Sequence, residues 1–125
     1  MVLAHVAIYV SDLTKSKAFY DQFASILNYK VSFSDDTAVY YSDIDGDNND
    51  GAFGLTVDPS KPIGHVHVAF KAPNIEAVKQ FYEVALANGA TDHGAPGFRP
   101  EYAENYYGAF VLDRDGHNIE AALYT

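Results

Sequence analysis

The chain contains no cysteine, which excludes disulfides, thiolate metal sites and a thiol nucleophile. Basic residues are scarce: eight Lys and Arg stand against 17 Asp and Glu, for a formal net charge of −9. That balance repels phosphate backbones and anionic lipid, so neither nucleic acid nor a membrane surface is an expected partner. No apolar run approaches the ~20 residues that span a bilayer. The opening Met1-Val2-Leu3-Ala4-His5 carries no basic segment leading into an apolar one, so the expectation is a soluble, cytoplasmic protein. A phosphate-cradling Gly-rich loop and a Gly-x-Ser-x-Gly nucleophile elbow are both missing. The acidic run from Asp43 to Asp50 departs from a calcium-binding EF-hand, with Asn48 at the sixth position and Gly54 at the twelfth, and reads as a solvated loop.

What is present is a globular composition, 48% hydrophobic and 14% aromatic over 125 residues, the length of one domain. Val2 to Val10 alternates, with Val6, Ile8 and Val10 on one face and His5, Ala7 and Tyr9 on the other, the period of a strand. Ser11 or Asp12 can cap a helix whose stripe is Phe19, Phe23, Ile26 and Leu27. Strands are expected at 28–35, 38–44 and 52–57, and Asp58-Pro59-Ser60-Lys61-Pro62 breaks the chain. The order then restarts: a strand from His65 to Lys71, and a helix after Pro73-Asn74 with Ile75, Val78, Tyr82, Ala85 and Leu86 as its stripe and Gly89 as its stop. A Gly/Pro-rich loop is expected at 94–100. Strands at 106–112 and 118–124 flank the turn Asp113-Arg114-Asp115-Gly116. This is an α+β pattern in one domain over 1–125, made of two tandem β-α-β-β-β modules, 1–59 and 64–125.

The modules repeat in detail. A shift of 62 positions sets His5 on His67, Ala7 on Ala69, Lys17 on Lys79, Phe19 on Phe81 and Tyr20 on Tyr82. Alternation turns His5 and His67 away from the aliphatic faces of their strands. In the last strand Glu120 lies opposite Ile119 and Ala121, an acid within an apolar strand, where a charge must be paired, exposed or ligating. Two imidazoles and one carboxylate suit a borderline divalent cation (Fe, Mn, Ni, Zn or Co), with positions left open for water and substrate. His65 shares the face of His67 and is the rival ligand. The repeat register favours His67 and leaves His65 to a supporting or strand-start role. His93 and His117 fall in or beside loops and are expected to be solvated.

His5-Val6-Ala7, Ser11-Asp12-Leu13 and Phe19-Tyr20, then His67-Val68-Ala69-Phe70, then Leu112-Asp113-Arg114-Asp115-Gly116-His117-Asn118-Ile119-Glu120 together resemble the vicinal oxygen chelate superfamily. That group includes glyoxalase I, extradiol dioxygenases, fosfomycin-resistance thiol transferases and bleomycin-binding proteins. Gly94-Ala95-Pro96-Gly97-Phe98-Arg99-Pro100 with Asn105-Tyr106-Tyr107-Gly108-Ala109-Phe110 is similar to a bacterial subgroup known only as glyoxalase-family. The resemblance implies paired β-α-β-β-β modules in a mixed sheet curling around a cleft, a divalent metal held by His5, His67 and Glu120, and a homodimer. It further implies a small metal-dependent enzyme acting on a small oxygen-chelating substrate, with Glu120 as catalytic base. A lactoylglutathione lyase-like lyase or isomerase is favoured slightly over a ring-cleaving dioxygenase, with a metal-free binding module of the bleomycin-resistance kind as the third reading. One departure stands out: glyoxalase I has a fourth ligand on the last strand of its first module, and here Ala52-Phe53-Gly54-Leu55-Thr56-Val57 offers none.

Four residues are candidates for substrate contact. Arg99, alone among aromatics, either grips a carboxylate with its planar fork or pairs with Glu101 or Glu104. Tyr106 and Tyr107 fall on opposite faces, and Tyr107 is assigned to the cleft. Tyr9 shares the face of His5. Gly54, with Ala52 and Thr56, forms a small-residue face that either makes room for a ligand or packs tightly.

Overall fold

The computed structural model describes residues 3–46 and 53–125. Ala52 and the greater part of the acidic 45–51 loop lie outside the described residues. The chain divides into two compact units, Met1–Gly64 and His65–Thr125. In the first unit, β1 (Val6–Tyr9) leads into α1 (Leu13–Ala24), followed by β2 (Tyr29–Ser34), β3 (Ala38–Asp43) and β4 (Phe53–Thr56). The second repeats the order with β5 (His67–Lys71), α2 (Ile75–Ala87), β6 (Thr91–Phe98), β7 (Tyr106–Leu112) and β8 (Asn118–Tyr124). Each unit has one four-stranded mixed sheet, ordered β1-β4-β3-β2 and β5-β8-β7-β6. The first and last strands of each unit pair in parallel and the others antiparallel.

The helices start where their caps stand. The side chain of Asp12 accepts from the Lys15 N–H and that of Asn74 from the Ala77 N–H, each satisfying a donor the helix leaves unpaired. Gly89, at φ 100°, ends α2 in the left-handed region as Ala90 N–H reaches back to the Ala85 carbonyl. In the first unit Phe19, Tyr20 and Phe23 of α1 are buried together with Ile8, Val39, Tyr41, Phe53 and Leu55 of the strands. In the second, Val78, Phe81 and Ala85 are buried with Ala109, Val111, Ile119 and Ala121. The α2 stripe centres on Phe81, one position from the expected Tyr82, which is only partly covered.

Two expectations are corrected. The segment 94–100 is not a free loop, since most of it belongs to β6, paired with β7 through register shifts around Gly94 and between Gly94 and Gly97. β6 is an edge strand, so Pro96 sits where its missing N–H is tolerated, and the shifts take up the glycines as bulges. His117 is not solvated: it is 0% exposed. Its Nδ1 accepts from the Val66 N–H at 3.3 Å, and its own N–H donates to Asp113 Oδ1 at 2.9 Å. The ring thereby fastens the 113–117 turn to the chain entering β5.

Candidate functional site

β8 is sandwiched between β5 and β7, so its outward face is set by both neighbours. Ala69 and Phe110 are the cross-strand partners of Glu120. On this face lie His67 and Ala69 of β5, Asn118 and Glu120 of β8, and Tyr106, Gly108 and Phe110 of β7, all turned from the helix by the alternation of the strand. Glu120 is only 2% exposed. A carboxylate so enclosed needs partners, and it has two. His67 Nε2 lies 2.8 Å from its Oε1, and the Tyr106 hydroxyl donates to its Oε2. Gly108 makes the approach possible, because a Cβ there would stand 3.1 Å from Oε2. Burial, and then the hydrogen bond to Glu120, hold the Tyr106 phenol well above its ordinary range, so it stays a donor at physiological pH.

The His67 side chain is 52% exposed, opposite in character to the enclosed acid it touches. It opens onto a cavity of about 280 Å³ lined by His67, His93, Arg99, Tyr102, Phe110 and Asn118. The Arg99 guanidinium lies over the Phe110 ring, 5.4 Å from its centroid, and donates from Nη2 to the Ala95 carbonyl at 2.6 Å. Neither Glu101 nor Glu104 pairs with it among the described residues.

Tyr107, assigned from sequence to the cleft, occupies the helix-side face of β7. It is 7% exposed and packs edge-on against Phe98, its cross-strand partner. Of the two tyrosines, it is Tyr106 that shares the face of Glu120. His65 is not beside Glu120 either; its ring covers the turn at Gly116, where a Cβ would come within 3.0 Å of Nε2.

In the first unit His5 is exposed and meets the Tyr40 ring edge-on at 5.8 Å. Tyr9 lies on the same face of β1, two positions beyond Ala7, and is 38% exposed. Gly54 is opposite Ala7, as Glu120 is opposite Ala69. By the repeat, Gly54 is therefore the first unit's counterpart of Glu120. Its cross-strand neighbour Tyr40, counterpart of Phe110, lays its ring over it: a Cβ on Gly54 would be 2.5 Å from Tyr40 Cε1. Room at Gly54 is thus taken by an aromatic ring of the same unit.

Two ligands at right angles and about 2.1 Å from one ion lie about 3 Å apart, and the 2.8 Å between His67 Nε2 and Glu120 Oε1 matches that spacing as well as it does a hydrogen bond. The Tyr106 hydroxyl stands where it would orient the carboxylate if Oε1 held an ion. Within the second unit no third His, Asp or Glu of the described residues joins them, and the third residue implied by the sequence, His5, belongs to the first unit.

The sequence matches the model of the glyoxalase/bleomycin resistance protein/dioxygenase superfamily over residues 2–121, and the chain belongs to that superfamily. Among solved structures it is similar to a glyoxalase/bleomycin resistance protein from Albidiferax ferrireducens, at 29% identity and a TM-score of 0.81 over 96% of this chain and 97% of that one. A glyoxalase/bleomycin resistance protein/dioxygenase family enzyme from Burkholderia phytofirmans aligns along the whole of both chains, at 20% identity and a TM-score of 0.71. A glyoxalase-related enzyme from Fulvimarina pelagi aligns at 18% identity and a TM-score of 0.70, over 98% of this chain and 87% of that one. No protein of curated function matches the sequence. No helix among the described residues is long and apolar enough to cross a membrane.

Proposed function

We propose that this member of the superfamily is a small metal-dependent enzyme whose reacting centre is the pair His67 and Glu120. The observation that carries the reading is the buried Glu120 carboxylate, 2.8 Å from a half-exposed imidazole at the mouth of a cavity. His67 Nε2 and Glu120 Oε1 would hold the ion, and His5 is the third ligand that the family resemblance implies. A divalent cation there supplies Lewis acidity to substrate oxygen atoms.

The chain's own groups divide the remaining tasks. Tyr106, held protonated, keeps Oε2 occupied, so Oε1 is the oxygen left for the ion. Arg99 provides a positive charge over an aromatic floor and orients an anionic end of the substrate. In a glyoxalase-type isomerisation, Glu120 takes a proton from the carbon beside a carbonyl and returns it to the neighbouring carbon. A homodimer accompanies this reading through the family resemblance.

A ring-cleaving dioxygenase is the second reading, and a specific observation favours it: the first unit's counterpart of Glu120 is Gly54 beneath Tyr40, so one acid is present rather than two. Purified protein assayed with methylglyoxal and glutathione, and separately with catechols and oxygen under Fe(II) or Mn(II), tests the pair of readings. Turnover in the first assay, abolished by Glu120→Gln, supports the isomerase; turnover only in the second moves the assignment to the dioxygenase. Small-molecule binding with no divalent metal taken up would make the protein a binding module and end the enzyme reading.

A further inference from the structure

His93 lines the cavity beside His67, and neither the ion site nor Arg99 accounts for it. Its place follows from the register of β6. Asp92 is opposite Val111 and Gly94 is opposite Phe110, so β6 takes two steps where β7 takes one. The residue left over is His93, the extra member of a bulge. Val111 is buried on the helix side, whereas Phe110 is the cross-strand partner of Glu120 and shares its face. The strand therefore crosses from the helix side to the cavity side at His93. Gly94 has φ 152°, which side chains rarely adopt, and a Cβ on it would stand 2.9 Å from Phe110 Cδ2. The position opposite Phe110 thus carries no side chain, and the imidazole before it has the space. The bulge is also fastened. Asp92 Oδ1 accepts from the Gly94 N–H at 2.9 Å. That bond first, and the Tyr82 hydroxyl of α2 after it, hold the Asp92 carboxyl below its ordinary value of 3.8. No hydrogen bond from the described residues occupies the His93 ring. The titratable groups around it are Asp92 beside it, Tyr82 behind Asp92, and His67, Arg99 and Tyr102 about the cavity.

An isomerisation here has two protons to move. When an α-hydroxycarbonyl compound becomes its isomer, one proton passes between adjacent carbons and one between their oxygens. The carbinol oxygen loses its proton as it becomes a carbonyl, and the former carbonyl oxygen gains one as it becomes a hydroxyl. Protons and electrons balance within the substrate, so no oxidant or reductant enters. Glu120 serves the carbons. A guanidinium does not release its proton, an amide does not take one, and a phenol gives its own up only far above neutrality. Histidine is the side chain that ordinarily changes charge between roughly pH 5 and 8. Of the two that line this cavity, His67 has its Nε2 on Glu120 at 2.8 Å. The other is His93.

We propose that His93 is a second catalytic residue of this site: it takes the proton of the substrate hydroxyl and delivers it to the neighbouring oxygen, while Glu120 carries the proton between the carbons. This inference rests on the isomerase reading of His67 and Glu120 and names a further group for it.

The test uses the full chain, His93→Gln and His93→Ala, the position being exposed and its substitution harmless to the fold. With methylglyoxal and glutathione, His93→Gln should lower kcat about 100-fold or more, the usual worth of a positioned proton carrier, with KM close to wild type. The pH profile of kcat should lose one limb in the variant, and free imidazole should restore part of the rate to His93→Ala. A residue that only shapes the cavity would show neither. Hydroxyacetone, with a hydroxyl and a carbonyl on adjacent carbons, should shift the His93 ring resonances in protein titrated with one equivalent of Zn(II), and acetone should not. Four results would overturn the role of His93 and leave that of Glu120 standing: wild-type kcat in His93→Gln, a pH profile that keeps both limbs, a rate in His93→Ala that imidazole does not raise, or a His93 ring indifferent to hydroxyacetone. Turnover of catechols alone by the wild type, or of neither substrate, would bring down the isomerase reading and this role with it.

Discussion

Tyr106 is the residue on which the environment of Glu120 depends most. Tyr106→Phe removes the donor to Oε2 and leaves a buried carboxylate oxygen unsatisfied, which costs about 1–3 kcal/mol. The same substitution should weaken divalent metal binding about 10–100-fold, the usual effect of deleting a group that orients a ligand. Denaturant melts and metal titration of the variant check the two effects. Asp35 provides a pH-dependent contrast far from this chemistry. It closes the turn between β2 and β3, accepting from the N–H groups of Thr37 and Ala38 and from the Thr37 hydroxyl. Those bonds, the Thr37 N–H first, hold its carboxyl below the ordinary value of 3.8. A depressed carboxyl contributes stability that is complete above the unfolded-state value and lost as pH falls through the folded one. Asp35→Ala should therefore lower Tm at pH 7, and the gap to wild type should close as the pH is taken below the carboxylate range. At this scale the sequence disclosed His67 and Glu120, because alternation and the repeat mark them. It did not disclose Tyr106 over Tyr107, nor Asn118 and His93 in the cavity wall. Those depend on which face of β7 turns toward Glu120 and on where an irregular edge strand passes, and neither is written in a local pattern.

Among the elements, β4 and β6 carry what is particular to this chain. β4 presents Gly54 where β8 presents Glu120, and Tyr40 closes over it, flanked by the rings of His5 at 5.8 Å and Phe33 at 6.3 Å. Gly54→Ala drives a methyl into a ring held on two sides, so it should destabilise by about 1–3 kcal/mol and shift the His5 ring resonances. Unchanged stability and unchanged His5 signals would show that Tyr40 does not seal this position. The missing acid was visible in the sequence, but the ring that replaces it was not, because the β3–β4 register decides it. β6 was hidden for a different reason. Gly94, Pro96 and Gly97 are the residues of turns, and only an edge strand with bulges accommodates all three. The helices, by contrast, were legible almost to their starts, with Asp12 one of the two caps offered and Asn74 in the pair expected before α2, since capping is a local matter.

For the molecule as a whole, the 62-residue repeat was the most informative feature. It announced two units of equal order, and the structure has them, each with a four-stranded mixed sheet and one long helix. The repeat also makes the functional asymmetry plain: one unit keeps an acid at the matched position, and the other keeps a glycine under an aromatic ring. On the proposed function, the unit with the acid binds a divalent ion through it. The most direct test is calorimetric titration of the metal-stripped full chain with Mn(II), Co(II), Ni(II) and Zn(II), beside Glu120→Gln and His67→Ala, at two pH values. One ion per chain is expected, with affinity that falls toward acid pH as protons compete with the metal and loss of binding in both variants. Wild-type binding in Glu120→Gln, or no uptake of any of the four ions by the wild type, would contradict it.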